Sequence, residues 1–295
     1  MPCLVQWPAS MGLRCMSQPL VTNIGEAWRV ASLSIDRLDA RLLVQHVAGC
    51  THVDLLARPN QALSTDQLAR LGALVKRRSD GEPLAYLVNL AEFYSLEFHV
   101  TPAVLIPRPE TELLVELAIE RLQSLKAPRI VDLGTGCGIL AVTLKYLHPA
   151  AIVSAVDLSP AALEVARINA ARHAVEVSFL AGDWYVPLGG ARFDLIVANP
   201  PYIEYADPHL QQNGLPFEPL MALSDGVDGG DGLACIRAIV IDAARHLLPD
   251  GWLLIEHGYN QAARVRDLLW SAGFSKVASW PDLSKVERVS GGCLD

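Results

Sequence analysis

The chain lacks any Cys-x-x-Cys pair. Its six cysteines, Cys3, Cys15, Cys50, Cys137, Cys235 and Cys293, are scattered, and none stands at zinc-ligand spacing with a histidine. A zinc ribbon and a disulfide framework are thereby excluded, and the thiols read as reduced, in a cytoplasmic protein with no metal site. No run of about 18 apolar residues occurs, so no membrane-spanning helix is expected. Residues 1–20 lack the basic start and apolar core of a secretory signal. They read as a disordered extension, or as sequence upstream of a start at Met11 or Met16. Positive charge is also short. Against 32 Asp and Glu there are 24 Lys and Arg, a net charge of −8, which argues against broad affinity for a phosphate backbone. No internal repeat or low-complexity segment is visible.

What is present suffices for a large α/β domain plus a smaller partner: 295 residues, 51% of them hydrophobic. From Ile24 to about Leu84 the spacing is helical. "SIDRLDARLLVQHVAG" sets Leu38, Leu42, Leu43 and Val47 on one stripe and ends at Gly49. "STDQLARLGALVKRRSDG" has Ser64 and Gln67 at capping-box spacing, Leu68, Leu71, Leu74 and Val75 on one face, and Gly81 beyond its end. The character changes at Glu92. "LEFHVTPAVLIP" alternates Leu96, Phe98 and Val100 with polar residues, and predicts a β-hairpin turning at Thr101-Pro102. "RPETELLVELAIERL" resumes helical spacing; Arg108, Glu110 and Thr111 at its start either lean over a ligand or cap the helix. From Pro128 onward strands alternate with helices. Strands are expected at 129–133, 152–157, 175–181, 193–198 and 252–256, followed by a hairpin-like pair near 276–280 and 288–290. This alternation implies a mostly parallel twisted sheet of the Rossmann-like α/β class. The expected domains are 1–20, an extension; 21–91, helical; 92–108, a hairpin linker; and 109–295, the α/β domain.

The ends of the expected strands carry the chemistry. The first runs into "DLGTGCG", where Gly134, Gly136 and Gly138, with Thr135 and Cys137 between them, let the backbone turn sharply and approach a ligand without a Cβ in the way. Its third glycine comes one place too early for the dinucleotide fingerprint. Asp132 just before the turn suits a ligand with an ammonium or sulfonium centre better than a pyrophosphate. The second strand ends in Asp157, placed to accept ribose hydroxyls, with Ser159 free to cap the following helix and Pro160 at its first position. The third ends in Asp183 and Trp184, an acceptor for a purine amino group beside a flat wall. The fourth, "LIVA", stops at Asn199-Pro200-Pro201-Tyr202. Prolines remove strand donors and keep Asn199 in extended or turn backbone at the strand's carboxyl end, where ligands of open α/β sheets bind. There the Asn199 side-chain oxygen and the Pro200 carbonyl can accept both N–H bonds of a planar nitrogen nucleophile, with Tyr202 against its apolar stem. His209, in "DPHLQQ", reads as a loop residue rather than a base, and Cys137 as a small filler.

These strand ends resemble the S-adenosylmethionine-dependent methyltransferases. The longer set "VLIPRPETELLVE", "DLGTGCGILA", "NPPYI", "DPHLQ", "FEPLMAL", "DGL" and "RVSGG" resembles the peptide chain release factor glutamine methyltransferases, from about Ile24 to the end. The resemblance implies a helical domain that engages the release factor, a hairpin linker and a catalytic domain. That last domain would methylate the side-chain amide of the glutamine in a Gly-Gly-Gln loop, with S-adenosyl-L-methionine as cofactor. It implies that Gly134 through Gly138, Asp157, Trp184 and Asn199 contact the cofactor, and that Asn199, Pro200, Pro201 and Tyr202 hold the glutamine; Asp132 and Asp183, from the strand ends, complete the expected cofactor site. The expected partners are release factors, with no sequence-specific nucleic acid and no membrane, for an enzyme that is a monomer. A ribosomal-protein glutamine and a DNA adenine are the competing substrates; a non-catalytic adaptor on a nucleoside fold is a further alternative, disfavoured by the intact Asn-Pro-Pro-Tyr. Asn89 departs from the family's usual glycine, although Asn is the next best residue for a left-handed backbone.

Overall fold

The computed structural model describes residues 21–295; the extension expected at 1–20, with Cys3 and Cys15, lies outside the described residues. The chain divides into two compact units, one ending at Asn89 and the other spanning Leu90–Asp295.

The first unit is helical: α1 (Ile24–Ala31), α2 (Arg37–Ala48), α3 (His52–Ala57), α4 (Thr65–Ser79) and α5 (Leu84–Val88). Its ends follow local rules. Asn23, Asp36, Thr51 and Ser64 each cap a helix with a side-chain oxygen, and Thr51–Asp54 and Ser64–Gln67 form complete capping boxes. Gly49 and Asn89 close α2 and α5 in the left-handed conformation, so Asn89 does what the absent glycine would have done. The apolar stripes meet in one core around Ile24, Leu43, Val44, Leu71 and Val75.

The second unit opens with a hairpin of β1 (Leu90–Phe93) and β2 (Leu96–His99). The turn falls at Tyr94-Ser95, not at Thr101-Pro102, and residues 101–108 form no strand. Both Tyr94 (φ 52°) and Ser95 (φ 59°) are left-handed, as a tight two-residue hairpin loop demands. Tertiary contacts sustain this loop without glycine. The Tyr94 N–H donates to Glu112 at 2.7 Å, and Asn169 exchanges hydrogen bonds with both backbone groups of His99.

The sheet that follows has seven strands: β3 (Arg129–Leu133), β4 (Ile152–Asp157), β5 (Ser178–Ala181), β6 (Phe193–Ala198), β7 (Leu247–Glu256), β8 (Ser275–Pro281) and β9 (Glu287–Cys293). They lie in the order β5-β4-β3-β6-β7-β9-β8; β3 to β7 are parallel, and β9 pairs antiparallel with both β7 and β8. Helix α6 (Glu112–Leu122) precedes β3, and α7 (Ile139–Leu147), α8 (Pro160–Arg172), α9 (Ala234–His246) and α10 (Ala262–Ser271) lie between later strands. The central strands read as continuous apolar runs because both faces are covered, and β3 and β6 are almost wholly buried. Three strands differ from the sequence reading, β9 by running on to Cys293 beyond the expected 290. β5 starts only at Ser178, and β7 starts at Leu247 rather than Trp252, because Pro249-Asp250-Gly251 is absorbed as a bulge with Asp250 at φ 61°. The chain leaves β3 toward β4 and β5, then crosses back to β6 on the other side of β3. The strand order therefore reverses at β3, and the carboxyl ends around it form the crevice where such sheets bind ligands.

Candidate active site

Four strand ends meet at that crevice. Leu133 pairs with Ala198 in register, so the glycine turn leaving β3 and the Asn199 turn leaving β6 start from adjacent rungs on the same edge of the sheet. Between them lies a cavity of about 590 Å³, lined by Asp132, Gly134, Thr135, Gly136, Cys137, Asp157, Asp183, Trp184, Asn199 and Pro201. Its volume falls in the range of small-molecule and cofactor sites. Gly138, Pro200 and Tyr202 of the expected site do not line it. Gly138 instead starts α7, Pro200 is buried, and Tyr202 packs toward the core of the sheet unit.

The glycine turn requires glycine. Gly134 and Gly136 sit at φ 73° and 55°; a Cβ on Gly136 would project into open space, and one on Gly134 would meet the Trp184 ring at 3.4 Å. Trp184 therefore stands over the turn, held with φ 39° at its own strand end. Asp157 ties the turn to β4, since its carboxylate accepts from Gly136 N–H and Ser159 N–H, both at 2.8 Å. The capping of α8 falls to Ser159, whose hydroxyl accepts from Ala162 N–H. Each Asp157 oxygen keeps a further lone pair, and burial raises its pKa despite those donors.

Asp132 is buried, and one of its oxygens accepts from the Thr135 hydroxyl (2.6 Å) and Ala141 N–H (3.2 Å). The other oxygen has no hydrogen-bond partner. Desolvation pushes its pKa up to about 7, with the Asp157 charge adding a smaller rise. An unpartnered buried carboxylate oxygen beside an open glycine cradle fits a ligand with a cationic centre and hydroxyls, as S-adenosylmethionine has. The cavity's residues accordingly fit that cofactor. Cys137 is a filler rather than a nucleophile: it is buried, and desolvation raises its thiol to about 12.

Asn199 is oriented from outside the cavity. Its Nδ2 donates to the Thr111 hydroxyl at 3.2 Å, which leaves Oδ1 as the amide atom able to accept. The Tyr202 hydroxyl donates to Glu256 Oε1 at 3.3 Å. Neither expectation for the start of α6 holds. Arg108 and Glu110 do not line the cavity, and no side chain caps the helix; Arg108 pairs with Glu218, and Thr111 supports Asn199. His209 is exposed and bonded to Asp207 within a loop turn.

Several residues at the site escaped the sequence reading. Ala103, Val104, Leu105, Pro107 and residues Pro219 to Ala222 also line the cavity, and Glu218 joins the two segments by accepting from Ile106 N–H (3.0 Å) and Arg108. Glu256 ends β7 as Asp157 ends β4, in "LLIEHG", so an acid terminating an apolar run was the signal available for it. Burial raises its pKa to about 7.

Comparison with known proteins bears on this geometry. Residues 110–212 match the methyltransferase small domain family, and residues 26–88 match the PrmC N-terminal domain. The chain is 47% identical over 285 residues to the release factor glutamine methyltransferase of Burkholderia pseudomallei, covering 94% of this chain and 98% of that protein. It is 43% identical over 257 residues to the protein of that name from Escherichia coli, covering 87% and 91%. In fold it is similar to the T. thermophilus 16S rRNA N2 methyltransferase solved with AdoMet and guanosine, at a TM-score of 0.53 and 23% identity over 70% of this chain and 50% of that one.

Proposed function

The chain belongs to the release factor glutamine methyltransferase family, and from that premise we propose that it transfers a methyl group from S-adenosylmethionine to the side-chain amide nitrogen of the glutamine in the Gly-Gly-Gln loop of peptide chain release factors. The observation that carries this reading is the adjacency of two turns. The glycine turn and Asn199 leave neighbouring strands in register, at one cavity, with the Asn199 amide already held by Thr111.

When bound, the cofactor supplies a methyl group made electrophilic by its sulfonium. A carboxamide nitrogen is a poor nucleophile because its lone pair is conjugated with the carbonyl, so this chain's main contribution is to fix the amide plane. Asn199 Oδ1 and the Pro200 carbonyl accept its two N–H bonds. Both acceptors are neutral. An anion at that point would stabilise the positively charged ground state and slow a step in which charge disperses. Asp132 and Asp157 instead place negative charge at the glycine turn, where the cofactor's amino and hydroxyl groups are recognised. Ala103, Val104, Leu105 and Pro107, with Pro219 to Ala222, add apolar walls to the cavity. The methylated nitrogen then gives up its extra proton to water.

The helical unit serves to recognise the protein substrate in this reading, and its match to the PrmC N-terminal domain supports that role. A DNA adenine substrate is disfavoured by the net charge of −8. Incubation with isotopically labelled S-adenosylmethionine and a release factor should place one methyl on the Gly-Gly-Gln glutamine by mass spectrometry. Labelling of another residue, or of a ribosomal protein in preference, refutes the reading.

A further inference from the structure

Thr111, Tyr202 and Glu256 adjoin the Asn199 turn without lining the cavity. Glu256 is 1% exposed, and among the described residues it has no ion pair. A buried carboxyl is costly unless its oxygens are used. Here the Tyr202 hydroxyl donates to Oε1, the Thr111 hydroxyl faces the same carboxyl, and Oε2 has no partner of good geometry. Both hydroxyls belong to residues that touch, or form part of, the turn read above as the glutamine holder.

A threonine hydroxyl has one proton to give. Given to a carboxylate, it leaves lone pairs for Asn199 Nδ2, which is the arrangement observed at 3.2 Å. Not so engaged, the same hydroxyl can donate to Asn199 Oδ1. The amide then turns over and presents its NH2 to an incoming NH2, donor against donor.

We propose that Glu256 is a positioning residue for the methyl transfer: as a carboxylate it takes the Thr111 and Tyr202 hydroxyl protons, and so keeps Asn199 Oδ1 turned toward the substrate amide. This rests on the glutamine reading above. The groups facing Glu256 are Arg288 from β9, which favours its charge, and Glu110 from the turn before α6, which opposes it; Arg288 and Arg108 also act on the Tyr202 phenol. Burial pushes the Glu256 carboxyl up to about 7. The working ionised form therefore fills in as pH rises through neutrality, and turnover rises with it.

The test uses the full chain with a release factor. Glu256→Gln places an N–H donor where the carboxylate accepts. It is expected to lower kcat by roughly 10–100-fold and to remove the limb near neutral pH, while affinity for S-adenosylhomocysteine, measured by calorimetry, stays within about twofold. Thr111→Ser should keep most of the activity, and Thr111→Val should lose as much as Glu256→Gln. The Asn199 side-chain 15N resonance, followed without substrate, should shift with pH near neutrality in the wild type and stay fixed in Glu256→Gln. Wild-type kcat and pH profile in Glu256→Gln overturn the proposal, as does a fall in kcat matched by equal falls in Tm and cofactor affinity. If Glu256→Gln does not fold, equal activity of the two Thr111 variants overturns it. A wild type that leaves release-factor glutamine untouched refutes the functional reading instead, and the 15N result still decides the role of Glu256.

Discussion

The helical unit and the sheet unit handle polar groups in opposite ways. Every fully buried polar or charged side chain among the described residues belongs to the sheet unit, and most of them, including Thr111, Asp132, Thr135, Glu218, Ser224, Glu256 and Gln261, gather at the carboxyl edge of its parallel strands or on the segments that cover it. Residues 21–89 bury an aliphatic core and spend their Ser, Thr, Asp and Asn on helix caps. The first region satisfies the donors at its helix starts locally, through those caps. The second buries the acids Asp132 and Glu256, each with one carboxyl oxygen that has no hydrogen-bond partner, close to the carboxyl edge of the sheet.

The contrast is broken most severely at Asn199. Asn199→Ala should reduce turnover by about a thousandfold or more, while affinity for S-adenosylhomocysteine changes only several-fold. Parallel single-turnover and calorimetric measurements check it, and equal losses in both would show that Asn199 serves the cofactor rather than the glutamine. Next comes removal of the residues before Leu90, expected to cost on the order of 100-fold in kcat/KM for a release factor with cofactor affinity retained. Matching losses would mean that the helical unit acts only on the fold.

A smaller effect concerns pH. Asp132 and Glu256 both have carboxyl pKa values raised to about 7 in the folded chain. The stabilisation from such groups is fully present below the ordinary carboxyl pKa and is lost as pH rises through about 7. Denaturant unfolding without ligand should therefore show stability falling between mildly acidic and alkaline pH, by an amount on the order of a few kcal/mol. Asp132→Asn should flatten part of that fall; an unchanged slope would remove Asp132 as a titrating group. The smallest change is expected in the helical unit. Ser64→Ala removes the cap of α4 and should cost about 1 kcal/mol of stability with turnover unaltered. Lost turnover in a folded Ser64→Ala protein would sharpen the role of that unit beyond packing.

The parts that were legible in the sequence are those that local rules decide. Capping boxes at Ser64, the left-handed ends at Gly49 and Asn89, and the boundaries of β3, β4 and β6 follow from spacing and turn chemistry. The acids and glycines at strand ends were visible because each interrupts an apolar run. The hairpin turn was not, because Tyr94 and Ser95 take left-handed angles only with Glu112 and Asn169 fastening the hairpin, contacts 18 to 70 residues distant in sequence. β7 was expected to start at Trp252, and Pro249-Asp250-Gly251 before it proved to be a bulge within the strand. Thr111, Glu218 and Glu256 lie 88, 110 and 54 residues from the Asn199, Arg108 and Tyr202 side chains they engage, and no periodicity records such pairings.

The most direct measurement is a structure of the enzyme with S-adenosylhomocysteine and a release factor. The loop glutamine is expected to enter beside the glycine turn with its NH2 hydrogen-bonded to Asn199 Oδ1 and the Pro200 carbonyl. A glutamine bound elsewhere, or met by Asn199 through its Nδ2, would contradict this placement.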